Sequence, residues 1–298
     1  MDRRPLEVFI AVVDHGSISA AADALGCAQP TVSIALAGLE RGLGVPLFHR
    51  MARGVRPTSA GEALVEPARA VLRDFAVLES IVRAVHGLDA GTLDIIAIPT
   101  LTHELAALVG RFHAAHPAVT VRCGDPGVEP LEVLVRTGRC DLALGEVPAD
   151  ARGVVVVPIG AQPFLLALPP GSAPATTIDR RALAALTYVA TPPGTSSRTL
   201  LDEAAAAPRI AVETAQREAL VPLVIAGAGA ALLPEPLARH AQALGAVLVA
   251  PEPPLERRFA LLHRPGPLTP AAMAFLALTT ADSGVSGRGS DRAAASRA

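Results

Sequence analysis

Lysine is absent from this chain of 298 residues: all 26 basic side chains are arginine. Beside so much alanine, glycine and proline, that absence reflects a GC-rich genome rather than a demand of function. No run of 18 uninterrupted apolar residues occurs, and the N-terminus has no apolar signal segment, so a cytoplasmic protein without a membrane partner is expected. Three cysteines, Cys27, Cys123 and Cys140, form no CxxC pair and no zinc spacing. Cys123 and Cys140 sit among strand-like apolar residues with no evident base nearby, the setting of an inert thiol rather than a redox sensor. P-loop and HExxH motifs are missing, and Gly227-Ala228-Gly229 lacks the third glycine of a dinucleotide loop. Gly194-Thr195-Ser196-Ser197 lacks the closing glycine of a nucleophile elbow. His103, His113 and His116 find no carboxylate or cysteine at metal-ligand spacing. No cofactor, no metal and no catalytic residue are therefore expected. A net charge of −2 excludes a chain that coats nucleic acid by bulk charge, but leaves room for a local basic patch.

What is present begins at residue 17. Ser17 and Ser19 are N-cap candidates ahead of Ala20-Ala21-Ala22-Asp23-Ala24-Leu25, a run of strong helix formers that Gly26 can stop. A second helix starts near Ala28, where Pro30 is tolerated because first-turn N–H groups lack intrahelical partners. Val32, Leu36, Leu39 and Leu43 form an inward stripe, which leaves Gln29, Thr31 and Ser33 outward near the helix N-terminus. Gln can bond adenine bidentately and Thr can offer its methyl to thymine. Gly42 to Gly44 ends the helix, and His49, Arg50, Arg53 and Arg56 follow in a basic loop. Two short helices and a basic loop suit a head that reads the major groove and grips phosphates.

In this order the residues resemble the N-terminal winged helix-turn-helix of the LysR-type transcriptional regulators. The matching positions include Phe9, Val12, Gly16-Ser17, Ala21-Ala22, Leu25, Gln29-Pro30, Val32-Ser33, Leu39-Glu40, Leu43-Gly44, Leu47-Phe48, Arg50 and Thr58 to Gly61. The resemblance implies DNA contacts from Ser17, Gln29, Pro30, Thr31, Ser33, Arg50, Arg53 and Arg56. Ala28 stands where the family usually has a capping Ser, and Ile34, Ala37 and Gly38 where it often has basic residues. A lost cap costs about 1 kcal/mol, and fewer phosphate contacts flatten the salt dependence. Residues 1–58 are nearly neutral, so DNA affinity is expected to lean on the wing and on dimerisation.

A long helix follows over 59–88, opened by a capping-box pattern at Ser59-Ala60-Gly61-Glu62 and bent at Pro67. Leu64, Ala68, Val71, Phe75, Leu78, Val82 and Val85 recur at heptad spacing, a seam for a homodimer, with Leu64, Val71, Phe75, Leu78 and Val82 as its dimerisation residues. From residue 91 strands and helices alternate, which argues for a parallel α/β domain over 91–282. Its strands are read near 93–98, 119–123, 142–144, 154–158, 164–168, 187–190, 209–212, 230–233 and 259–263. Its helices are read near 105–115, 131–137, 179–186, 196–206, 215–227, 234–243 and 269–278. The pattern resembles the family's two-lobed, periplasmic-binding-protein-like effector domain, with lobe 1 at about 91–160 and 266–282 and lobe 2 at about 161–265. Residues 283–298 read as a disordered tail.

Ligands of open α/β sheets bind beyond strand carboxyl ends, near helix N-termini. That rule selects Thr100, Leu101 and Thr102, then Glu146, then Thr195 and Ser196, with Thr214 as a further candidate. Hydroxyls and free N–H groups there suit a small anion such as a carboxylate, whereas Glu146 would favour a ligand hydroxyl or amine. The overall expectation is an α/β protein with an all-α winged helix-turn-helix head and a long linker helix. Its partners would be double-stranded promoter DNA, a small-molecule effector and a second copy of itself, dimers pairing into a homotetramer. A solute-binding protein or a metabolic enzyme on the same α/β fold are the alternatives. The first would need a secretion signal and no DNA-reading end, and the second a catalytic motif.

Overall fold

The structure is a computed structural model that describes residues 3–51, 54–85, 91–127, 129–173 and 176–283. Arg53, the side chain of Arg50 and residues 284–298, expected as most of the disordered tail, lie outside the described residues. The chain divides into two compact units: Met1–Ala97, Leu108–Val157 and Leu261–Ala298 form the first, Ile98–Ala107 and Pro158–Ala260 the second. No single helix among the described residues is long and apolar enough to cross a membrane.

The first unit opens with three helices, α1 (Arg3–His15), α2 (Ile18–Ala24) and α3 (Gln29–Leu43). Ser17 caps α2 by accepting a hydrogen bond from the Ala20 N–H, and Gly26 turns the chain at φ 62°. Ser19 lies inside that helix, not at its cap. In α3, Ala28 stands at the N-cap without a side-chain bond, Pro30 lies in the first turn, and Gly44 closes the helix at φ 72°. Leu6, Phe9, Val12, Ala21, Val32, Leu36 and Leu39 build the core of the head. Leu43, read as part of the inward stripe, is 37% exposed at the last position of α3.

The basic loop is a small β-ribbon, β1 (Phe48–Arg50) and β2 (Val55–Pro57), with His49 opposite Arg56. Phe48 packs its ring on Phe9 at 5.5 Å between centroids, which ties the ribbon to α1. Helix α4 (Ser59–Val85) follows and runs through Pro67 as one helix. Thr58 caps it, accepting from the Gly61 N–H at 3.0 Å and donating to the Pro46 carbonyl at 2.8 Å. The expected Ser59…Glu62 capping box therefore does not form. Gly61 is required here, since a Cβ would collide with the Leu47 carbonyl.

Beyond α4 the first unit carries β3 (Gly91–Ala97) flanked in parallel by β4 (Val119–Gly124) and β5 (Leu142–Glu146). Helices α5 (Thr102–Ala115, whose first turns belong to the second unit) and α6 (Leu131–Arg136) connect these strands, and α11 (Pro270–Ser283) packs against β3 and α4. Phe112 and Phe275 meet at 5.3 Å where α5 and α11 approach. Helix α5 begins three residues earlier than read, after a 3-10 turn at Pro99–Leu101.

The strands read at 154–158 and 164–168 are one, β6 (Val155–Leu168). In the second unit β6 pairs antiparallel with β10 (Ala231–Pro234) and β11 (Val247–Glu252), and β11 pairs in parallel with β7 (Thr177–Asp179). The all-parallel expectation thus fails for β6; β7 went unread because it is three residues long with one apolar side chain, and β11 because Pro251 and Glu252 end its apolar run. A second parallel pair, β8 (Thr187–Ala190) with β9 (Arg209–Glu213), lies beside β10 through a bridge between Tyr188 and Ala230. Helices α7 (Arg180–Ala185), α8 (Ser196–Ala204), α9 (Leu220–Ile225) and α10 (Glu235–Ala243) cover these strands. The helix read over 215–227 is a 3-10 turn at Arg217–Ala219 followed by the short α9. Strand β12 (Leu255–His263) returns the chain to the first unit.

Candidate nucleic-acid interface and effector pocket

The described DNA-reading candidates lie on α3, on the ribbon and at the cap of α2. Gln29, Pro30 and Thr31 are exposed in the first turn of α3, Ser33 is half-buried, and Arg56 is exposed on β2 beside His49. Ser17 is half-buried and its hydroxyl is engaged as the cap of α2. The Ser19 hydroxyl donates to Gln29 Oε1 at 3.3 Å, so α2 steers the carboxamide that would meet a base. Sequence reading missed this role by treating Ser19 as a cap.

Three acidic residues of the head, Glu7, Asp14 and Glu40, are engaged within the chain. Glu40 Oε1 accepts from the Leu47 N–H at 2.7 Å, fixing the approach to β1. Glu7 is held by Arg3 and Arg4, and Asp14 by Arg69 of α4.

Of the dimerisation candidates, Val71, Phe75, Leu78 and Val82 are all exposed, Leu78 by 60%. Leu64 is different: it packs with Val65 and Leu72 against the core of its own head. Heptad counting could not separate the two, because the first turns of α4 are spent on intrachain packing before the seam emerges. The same helix is tied to the α/β part of its unit. Arg73 bonds Asp141 and the Gly138 carbonyl, Arg264 pairs with Asp74, and Arg136 with Glu66 at 3.1 Å.

Most effector candidates fall in the second unit. Thr100 is 6% exposed, and its carbonyl accepts from Gln162 Nε2 at 2.8 Å. Leu101, at 2%, is a core residue, which corrects its reading as an effector contact: it faces inward on the 3-10 turn. Thr102 is exposed and donates to the Pro99 carbonyl. Gln162 also donates to Glu104 Oε1 at 2.9 Å, a buried polar link that no motif announced.

Thr195, Ser196 and Thr214 come together at the end of β8. Thr195 and Thr191 hydroxyls lie 2.5 Å apart, and the Thr214 N–H donates to the Ala190 carbonyl. Thr195 stands at the N-cap of α8 but gives its hydroxyl to the Pro192 carbonyl, so it does not cap the first N–H groups. A cavity of about 10 Å³, room for one water, opens there between Thr191, Ser197, Arg198 and Leu220. Arg198 is committed to Asp202, Glu213 and the Thr191 carbonyl, so its charge is already balanced. Glu146 is half-buried in the first unit, at the end of β5.

The cysteines do not form a pair. Ile95 of β3 is in register with Cys123 of β4 on one side and Leu142 of β5 on the other. Two strand spacings, about 9–10 Å, therefore separate Cys123 from the strand that Cys140 leads into, beyond disulfide reach. Burial pushes the Cys140 thiol up to about 12 and the Cys123 thiol upward as well. No group of three metal-ligating side chains occurs among the described residues.

Comparison with known proteins bears on both halves. Residues 4–62 match the family described as bacterial regulatory helix-turn-helix protein, lysR family, and residues 86–283 match the LysR substrate binding domain. The chain belongs to the LysR family. A probable hydrogen peroxide-inducible genes activator of Mycobacterium xenopi is 38% identical to this LysR-family chain over 167 residues, 56% of this chain and 88% of that protein. The regulator CfxR of Cupriavidus necator is 32% identical over 167 residues, covering 56% of this chain but 53% of its own length. Among solved structures, a cysteine variant of full-length OxyR from Pseudomonas aeruginosa superposes with a TM-score of 0.77 at 24% identity, over 95% of this chain and 94% of that one. CbnR complexed with its target DNA gives 0.63 at 23% identity, over 94% and 99%. These likenesses show the fold of the LysR-family regulators, a helix-turn-helix head with a substrate-binding domain.

Proposed function

We propose that this chain is a cytoplasmic transcriptional regulator that binds double-stranded promoter DNA as a homodimer, paired into a homotetramer, and has no catalysis of its own. Residues 1–58 read DNA, 59–88 link and dimerise, and 91–282 respond to a small molecule. The observation that carries this reading is the exposure of Gln29, Pro30 and Thr31 in the first turn of α3, and of Arg56 on the ribbon, in a chain of this family. Helix α3 would enter the major groove while the ribbon meets the adjoining backbone. The exposed seam of α4 would pair two heads onto successive half-sites.

The effector is read as a small anion such as a carboxylate, held at the N-terminus of α8. Support comes from the uncapped first turn there and from the hydroxyls of Thr195, Ser196 and Thr214. Thr100 and Thr102, in the same unit as α8, are further contacts in this reading. A peroxide-sensing thiol pair is disfavoured, because Cys140 is buried and Cys123 lies out of its reach.

Gel shifts with the intergenic fragment beside the coding region test the DNA half. Gln29→Ala and Arg56→Ala should each weaken binding by about ten-fold or more. Unchanged binding in both would sink the docking.

A further inference from the structure

Ile34 is the most exposed large apolar residue among those described, at 69%. It sits one turn into α3, about 170° around the helix from the mean direction of the buried Val32, Leu36 and Leu39. Pro30, Ala37 and Arg41 share its sector, and all are exposed. Gly38 beside it is also exposed, and a Cβ there would touch nothing within 4 Å. The outward face of α3 is therefore an isoleucine ringed by small or flat residues, with Arg41 at its far end.

A β-branched side chain is not placed at such a position for the helix, since Ile propagates helix less well than Ala, Leu or Arg. Nor does it serve the core, which lies on the opposite face. In the DNA-binding reading above, α3 enters the major groove with its core-facing stripe turned inward, so this outward face is the one turned toward the bases. Thymine carries the only aliphatic group in the major groove, its 5-methyl, and that group is recognised by apolar contact rather than by a hydrogen bond. Small neighbours at 37 and 38 let the helix sit deep enough for Ile34 to reach it.

We propose that Ile34 is a specificity-determining residue that reads a thymine methyl in each half-site. The inference rests on the DNA-binding reading above and adds the base it prefers. Gln29, at the N-terminus of α3, supplies hydrogen-bonding readout one turn away, so the two residues divide polar and apolar recognition along the groove.

The test uses the full chain and duplexes it enriches from a random-sequence library. Each thymine of the enriched half-site is replaced singly by uracil, which removes the methyl and keeps the pairing. In wild type at least one replacement should weaken binding by about four-fold, the value of one buried methyl-sized group. In Ile34→Ala the same replacement should cost almost nothing, while the variant keeps the wild-type thermal midpoint because the side chain packs on nothing. Wild-type binding indifferent to every uracil overturns the proposal, as does a uracil penalty of the same size in Ile34→Ala. Failure of wild type to enrich any sequence overturns the DNA-binding reading itself, and this proposal with it.

Discussion

Arg73, midway along α4, bonds Asp141 at the entrance to β5 through Nη1 at 3.1 Å, and gives Nη2 to the Gly138 carbonyl at 2.7 Å. Asp141 uses its second oxygen to accept from the Asp94 N–H on β3 at 2.9 Å. Both partners are largely covered, with side chains 14% and 6% exposed. The pair fastens the linker helix to the strand layer of its own unit.

Breaking this pair should be costly. Arg73→Ala leaves a buried carboxylate without its cation, and a loss of about 3–5 kcal/mol in urea unfolding is expected. Burial holds the Asp141 carboxyl above its ordinary value, with Arg73 opposing that shift. The folded state therefore keeps the proton more tightly than the unfolded state does. The associated stability is complete below the ordinary carboxylate range and is lost as pH rises through the raised folded value. Asp141→Asn should flatten that part of the profile; an unchanged slope there would count against the assignment.

The α4 seam should govern assembly and not folding. Phe75→Glu or Leu78→Glu, both at exposed positions, should leave the thermal midpoint nearly unchanged and give monomers in sedimentation analysis. Leu64→Ala should do the reverse, lowering stability by about 1–2 kcal/mol while the dimer persists, since Leu64 packs within its own head.

Ser19 and Gln29 should behave as a coupled pair. Ser19→Ala frees the carboxamide and is expected to weaken DNA binding by about two- to three-fold, less than Gln29→Ala. In the double variant the Ser19 effect should vanish, because the group it steers is gone. Additive losses in a gel-shift titration would show that Ser19 acts elsewhere.

Thiol chemistry should be confined to the surface. A bulky disulfide reagent at pH 8 should label the exposed Cys123 slowly in the folded protein and Cys140 only on unfolding, because burial pushes the Cys123 thiol upward and that of Cys140 up to about 12. Hydrogen peroxide should leave the DNA affinity of wild type and of a Cys123→Ser, Cys140→Ser variant equal. A peroxide response that disappears in that variant would restore a redox reading.

Much of this protein is local in origin and was legible from the chain. Ser17, Gly26, Pro30 and Gly44 set helix limits through capping, left-handed turns and a missing N–H, all of which act within a few residues. The inward stripe of Val32, Leu36 and Leu39 follows from helical periodicity, and the strand runs of β3 and β5 from their short apolar-rich stretches. The ordered motif from Gly16 to Gly61 carried the family, and with it the class of function.

Other decisions depended on which segments meet in space. Whether a heptad position on α4 faces its own head or stays open, as for Leu64 against Leu78, is set by how far the head extends along the helix. Thr58 caps α4 in place of Ser59 because the Pro46 carbonyl and the close-packed Leu47 backbone hold it there. Leu101 is core, and Thr100 lends its carbonyl to Gln162, sixty-two residues away. Periodicity and caps are properties of neighbouring residues, so the chain alone determines them; burial and pairing are properties of distant residues brought together, and only the tertiary structure decides those.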